Sequence, residues 1–304
     1  MAALDDIPEL NPFRTEPKQL HAGAPGKVGF LKLNFEKKGN QTVLSELHRV
    51  APLLVQQALY WDLSLPDMPC VFVASTSGGI LQGDRLTYDI HLEKNAQAHI
   101  TSQGATRLQA MDANYATQQQ TIYLEAGSYL EWVPEMLIPY KNTRFVSHTD
   151  IHIDQDAVLF YTDIVMPGRK YYGEGELFTY DLLCLSIVAK RLDGQLLFTE
   201  RLVLQPKQDS LRKMGIMGPF DVFGNAILLA PQEICKQVFS KIPPDINREK
   251  KCAIGINWLP NEAGIICRVL GDESATVRNH IREFWKVVRL EATGTRLPEE
   301  FQWR

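Results

Sequence analysis

Residues 75–107 read STSGGILQGDRLTYDIHLEKNAQAHITSQGATR, and the rest of the chain is organised around them. The stretch opens on a turn with glycine at 78, 79 and 83, followed at once by Asp84. Glycine tolerates positive φ and close backbone approach, so this spacing predicts a tight, shaped loop. An alternating run over 86–92 predicts a strand with Asp84 at its mouth. The polar turn Glu93-Lys94-Asn95 leads to a second strand over 98–103. The glycines do not make a phosphate cradle. A Walker loop needs Lys and Ser/Thr at the head of a helix, and here Asp84-Arg85 enter a strand. A dinucleotide fingerprint needs strand, turn and helix, and fails on the same ground.

Working outward, the 304 residues suffice for a large single domain, or a domain with a small appendage. A net charge of −4 argues against a general nucleic-acid binder. The five cysteines (Cys70, Cys184, Cys235, Cys252 and Cys267) form no CxxC pair. An odd, scattered set implies reduced thiols and hence a cytoplasmic protein, each thiol acting as a small buried hydrophobe. No apolar run reaches the ~20 residues that span a bilayer. Asp5, Asp6 and Glu9 give the N-terminus the wrong sign for a signal peptide.

Residues 1–27 are rich in proline and charge and read as a flexible arm. From 28 to 213 the chain alternates in short runs. A hairpin is expected around Lys37–Asn40, and strands over 70–74, 117–124, 129–133, 144–153 and 157–165, while the pattern of 52–60 allows either a short helix or the strand that the family resemblance described below implies. The runs 177–189 and 195–204 flank Leu192-Asp193-Gly194, a strong hairpin signal. This rhythm means all-β, with a sandwich or jelly roll as the default. From 214 to 304 the character changes. Residues 231–241 read as a helix, 252–258 and 264–269 as a hairpin about Pro260-Asn261, and 274–290 as the best helix in the chain. Ser274 is its expected N-cap, and Val277, Ile281, Phe284, Trp285 and Val288 form its apolar face. This third reads as an α/β appendage packed on the β body.

Five segments carry a resemblance: GGILQGDRL, ITSQGATR, LEWVPEMLIPY, Gly168-Arg169 and LFTERL. Together they resemble the UreD (UreH) family of urease accessory proteins, from about residue 29 to the C-terminal helix. The combination of GG-x-x-x-GD with a downstream ITxQ-x-A-T-[RK] is what makes the match specific. The resemblance implies a β-helix-like stack of short-stranded sheets rather than a sandwich. It also implies a non-enzymatic chaperone for nickel insertion into apo-urease, a scaffold joining urease to UreF and, through UreF, to the GTPase UreG. No cofactor is expected to bind tightly, and Ni2+ is expected only in transit. Arg85 and the terminal Leu297-Pro298-Glu299-Glu300-Phe301 depart from the family pattern.

The candidate chemistry is carboxylate chemistry. No nucleophile–base arrangement is visible, and there is no G-x-S-x-G elbow. His148 and His152 lie four apart on a strand, too far along it to share a metal, and no third ligand is at hand. His91 and His99 flank a turn and could meet across a hairpin. Asp84 closes the glycine loop, while Asp163 and Glu200 interrupt apolar strands. Such carboxylates are either solvated or inward and paired, with Arg169, Arg191 or Arg201 as candidate partners. By the resemblance, Asp84, Asp163 and Glu200 line an internal acidic path for Ni2+. Oxygen ligands hold a divalent ion weakly, which suits transit. Two rival readings use the same residues: a pure adaptor with structural carboxylates, and a β-fold carboxylate hydrolase, since glycoside hydrolysis needs paired carboxylates.

Overall fold

The computed structural model describes residues 4–14, 26–247 and 251–299. Residues 1–3 and 15–25 of the expected arm, and Glu300 and Phe301 of the terminal departure, lie outside them. The first strands are β1 (Val28–Lys38), β2 (Gln41–Val50), β3 (Leu53–Leu54), β4 (Ala58–Leu59) and β5 (Cys70–Ser75). Then come β6 (Arg85–Leu92), β7 (Gln97–Ser102), β8 (Thr106–Leu108), β9 (Ala116–Leu124), β10 (Tyr129–Trp132) and β11 (Leu137–Pro139). β12 (Arg144–Ile153), β13 (Val158–Val165), β14 (Leu182–Lys190), β15 (Leu196–Leu204) and β16 (Val222–Leu229) follow. Helix α1 (Gln232–Lys241), β17 (Asp245–Asn247), β18 (Cys252–Trp258), β19 (Gly264–Gly271) and α2 (Ser274–Thr293) end the order.

Among the described residues these strands make a seven-stranded and a twelve-stranded sheet. The chain passes from one sheet to the other and back. β6, β9, β12 and β14 stack in parallel in the first sheet. β5, β7, β10 and β13 stack in parallel in the second. β8 and β11 pair on a third side. This is the β-helix-like stack the resemblance implied, and not the sandwich or jelly roll that alternation alone favoured. The period-2 signal is the same in all of these folds, because it reports one buried face and not which strand lies alongside.

The corner after β6 explains the difference. A hairpin would return the chain beside β6, but Glu93–Ala96 turns it into the other sheet. Asn95 takes φ 60° there, and its N–H donates to Ala126 O of the next corner. Gly127 sits directly above, where a Cβ would lie 2.3 Å from Asn95 Oδ1. His91 and His99 therefore do not meet. His91 pairs with Glu125 on the outer face, and His99 with Glu131 in the other sheet. The hairpins at Lys37–Asn40, Asp193-Gly194 and Pro260-Asn261 all form.

The two sheets enclose one core. Leu33, Ile90, Ile122, Ile151 and Ala189 form a continuous rung across β1, β6, β9, β12 and β14, all without solvent exposure. Burying each of the larger side chains contributes roughly 1.5–3 kcal/mol. The other face of the twelve-stranded sheet packs on the helices. Val277, Ile281, Phe284, Trp285 and Val288 of α2 are buried there, as their spacing indicated. Gly224 is what lets α2 lie so close, since a Cβ on it would come within 2.5 Å of Val277.

A buried ionic cluster fixes α2 to the sheet. Arg289 donates to both oxygens of Glu131, from Nε at 2.7 Å and Nη2 at 2.5 Å, and also pairs with Asp62. Tyr129 OH and Trp285 Nε1 donate to Glu131 at 2.6 and 2.8 Å. Burial opposes the Glu131 charge, yet Arg289 and His99 hold its carboxyl well below the usual range.

Several expectations need correction. The run 52–60 is two short strands rather than one, and the first residues of 177–189 precede β14 as loop. β16 was not expected, because its run VFGNAILL is apolar on both faces and shows no alternation. It pairs with β13 and β19, so the twelve-stranded sheet continues into the C-terminal third. Ser274 is the first helical residue, not the N-cap. That place is held by Glu273, whose carboxylate meets Lys170 and Tyr171 instead of capping the helix. Over residues 4–14 the expected flexible arm forms two 3-10 turns, with Leu10 buried against Tyr115, Val146 and Cys184.

Candidate functional site

One rung along from the apolar ladder, the interior turns polar. Tyr88, Gln120, Thr149, Ile187 and Glu200 lie in register across β6, β9, β12, β14 and β15. They face the other sheet, where β13 presents Tyr161 and Asp163 two residues apart and therefore on one face. Between the sheets is a cavity of about 60 Å³, lined among others by Tyr88, Gln120, Glu135, Thr149, Tyr161 and Asp163. A site holds a water once it offers roughly 10–15 Å³, so this one holds a few.

The cavity continues outward. A cleft of about 390 Å³ beside the glycine loop, lined by Gly78, Gly79 and Arg107, shares Val73, Tyr88, Ser102 and Thr106 with it. Glu200 and Arg268 line a separate surface hollow of about 760 Å³ together with Phe223 and Leu270, which shares no lining residue with the cavity.

Asp163 and Glu135 are the carboxylates among the residues that line the cavity. Burial pushes Asp163 up to about 7; the Tyr161 hydroxyl opposes this and the nearby Glu200 charge adds to it. Asp163 accepts a weak hydrogen bond from Tyr161 OH at 3.4 Å from Oδ1, and that hydroxyl also lies 3.4 Å from Thr149 Oγ1. Both are long for hydroxyl bonds, so the group can exchange partners readily. Neither Arg169, Arg191 nor Arg201 reaches Asp163 or Glu200. Arg169 pairs with Glu176, Arg201 with Glu9, and Arg191 donates to Asp154 O. The partner of Glu200 is Arg268 of β19, at 2.7 Å.

Asp84 lies elsewhere. It is fully buried, and its two oxygens accept from Lys27 N and Leu81 N, each at 2.9 Å. It fixes the shape of the glycine loop whose Gly78 and Gly79 line the cleft, but lines none of the three hollows itself. The structure thus brings Asp163 and Glu200 together and holds Asp84 apart from them.

Other metal chemistry finds little support. His148 bonds Ser186 Oγ, and His152 pairs with Asp150. Burial raises the thiols of Cys70 and Cys267 to about 12, which makes them poor thiolate ligands. Among the described residues no three His, Cys, Asp or Glu side chains cluster as a metal site.

Comparison with known proteins shows the family. The family model described as UreD urease accessory protein matches residues 27–304. The chain belongs to the UreD family. UreD relatives match it over nearly its whole length. Urease accessory protein UreD 2 of Brucella suis biovar 1 (strain 1330) is 50% identical over 295 residues, covering 97% of this chain and 98% of that one. Urease accessory protein UreD of Photorhabdus laumondii subsp. laumondii is 47% identical over 299 residues, covering 98% and 93%. That of Yersinia pseudotuberculosis serotype O:1b is 46% identical with the same coverage.

Sequence reasoning passed over Gln120, Glu135 and Asn225. Glu135 lines the cavity and pairs with Arg278 of α2. For Gln120 a signal was present: it shares strand parity with Ile122 and Leu124, so a polar side chain stands in the inward phase.

Proposed function

We propose that this urease accessory protein is a non-enzymatic scaffold for nickel insertion into apo-urease, offering Ni2+ a weak acidic route between its two sheets. The observation that carries the reading is Asp163, a carboxylate whose hydrogen bond from Tyr161 is long, in a small cavity that adjoins a cleft, with the Glu200 charge nearby at a separate hollow. Oxygen donors in small number bind a divalent ion exchangeably, as passage requires. Asp84 serves the route indirectly, by holding the loop at its mouth.

The scaffold half of the reading rests on family membership. Apo-urease and UreF are the expected direct partners, with UreG joined through UreF. Among the described residues no helix is long and apolar enough to cross a membrane. A carboxylate hydrolase has less behind it, since the relatives are named as accessory proteins.

The test is reconstitution. Apo-urease is incubated with UreF, UreG, GTP, Ni2+ and bicarbonate, with and without this chain. Urease activity should appear only when the chain is present, and complexes should be recovered by pull-down. Equal activation without the chain would refute the proposal.

A further inference from the structure

Among the described residues, two buried amide oxygens have no hydrogen-bond partner, one on a residue lining the same cavity as Asp163 and one on the residue paired with it across the sheet. Gln120 is 4% exposed and lines the cavity, and its Oε1 is unpartnered. Asn225 is 5% exposed, and its Oδ1 is likewise unpartnered. Folded proteins rarely leave buried polar atoms unsatisfied, and where they do an ion or water commonly completes them.

Their positions are not scattered. Asn225 stands directly opposite Asp163 in the β13–β16 register, and opposite Arg268 in the β16–β19 register. It shares strand phase with Phe223 and Ile227, which pack in the core between the sheets. Asp163, Asn225 and Arg268 thus form one row, and Arg268 ends it on Glu200. Gln120 faces this row from the other sheet. It stands opposite Thr149, whose hydroxyl meets Tyr161 OH, which in turn meets Asp163.

We infer that the carbonyl oxygens of Gln120 and Asn225 are ligand positions for a divalent cation, flanking Asp163 on the way to Glu200. This rests on the nickel-route reading and names residues that set its affinity. Amide oxygens suit hard divalent ions and hold a borderline one such as Ni2+ only weakly, and neutral donors add contact without the charge that would trap it. Gln120 serves the cavity side. Asn225 bridges Asp163 to the Glu200 hollow, where Phe223, two residues along the same face, already lines the wall.

The experiment is equilibrium dialysis of Ni2+ against the full-length chain, comparing wild type with Gln120→Met, Asn225→Leu and Asp163→Asn. Each amide replacement should weaken binding roughly three- to tenfold, the loss of one oxygen contact. Thermal midpoints should hold or rise, since an unsatisfied polar atom has gone. If either apolar variant fails to fold, Gln120→Glu and Asn225→Asp carry the test and should tighten binding. Wild-type affinity in the amide variants, with weakened binding in Asp163→Asn, would overturn this inference and leave the route standing. Wild-type affinity in all of them would remove both.

Discussion

Arg268 on β19 donates to Glu200 on β15 at 2.7 Å, tying the edge of the seven-stranded sheet to the twelve-stranded one. The pair lines the surface hollow, with Arg268 about half exposed. The cation there neutralises Glu200, which lines that hollow together with Asp209.

Because solvent screens the pair, Arg268→Gln should change unfolding free energy by less than about 1 kcal/mol. It should nevertheless raise Ni2+ bound at fixed free metal, since Glu200 loses its resident cation. Urea denaturation and dialysis on the same preparation check both.

The Arg289 cluster should behave in the opposite way. Arg289, Glu131 and Asp62 are all fully shielded from solvent. Arg289→Met leaves two buried carboxylates without their cation, an imbalance that costs about 3–5 kcal/mol. Urea denaturation should show that loss. A fall of under about 1 kcal/mol would mean the cluster does not hold α2 in place.

Asp163 makes the protein pH-sensitive in a definite direction. Its folded pKa of about 7 lies above the ordinary 3.8, so the folded state holds this proton more tightly than the unfolded chain. Its contribution to stability is therefore full below about pH 4, declines as pH rises towards 7, and is flat above. Asp163→Asn lacks this dependence, so its stability advantage over wild type should grow from pH 5 to pH 7.5 and then level. Proton and metal compete for the same oxygens, so Ni2+ binding to wild type should strengthen over that interval. Thermal melts and dialysis across the range follow the two effects.

Asp84 gives a prediction of a different kind. Its carboxylate accepts two backbone N–H bonds with no solvent contact. Asp84→Ala orphans both donors and should destabilise by roughly 2–4 kcal/mol. It should also raise proteolytic nicking in the 78–83 loop, whereas Asp163→Asn should not.

Much of the fold could be read from residues, and the exceptions have physical causes. The tight turn at Asp193-Gly194 and the apolar face of α2 are local properties, visible in a few neighbouring side chains. The choice between a sandwich and stacked coils is not local. It depends on corners such as Asn95 over Gly127, which match residues 32 apart in sequence. β16 was hidden because both its faces are buried, one on the core and one on α2. The same holds for the candidate site. Their apolar neighbours marked Asp163 and Glu200 as either solvated or inward and paired, and only the register shows that Asn225 stands in line with Asp163 while Asp84 does not. Arg268 lies 68 residues from Glu200 and could not have been chosen over Arg201 by spacing.

The most direct measurement is activation of apo-urease in the reconstituted mixture by the double variant Asp163→Asn, Glu200→Gln, beside wild type, with assembly of the accessory complex followed by pull-down. Both substitutions keep shape and remove charge. If Ni2+ passes between the sheets, complexes assemble as in wild type while activation collapses. Full activation by the double variant would contradict the route and leave the chain an adaptor.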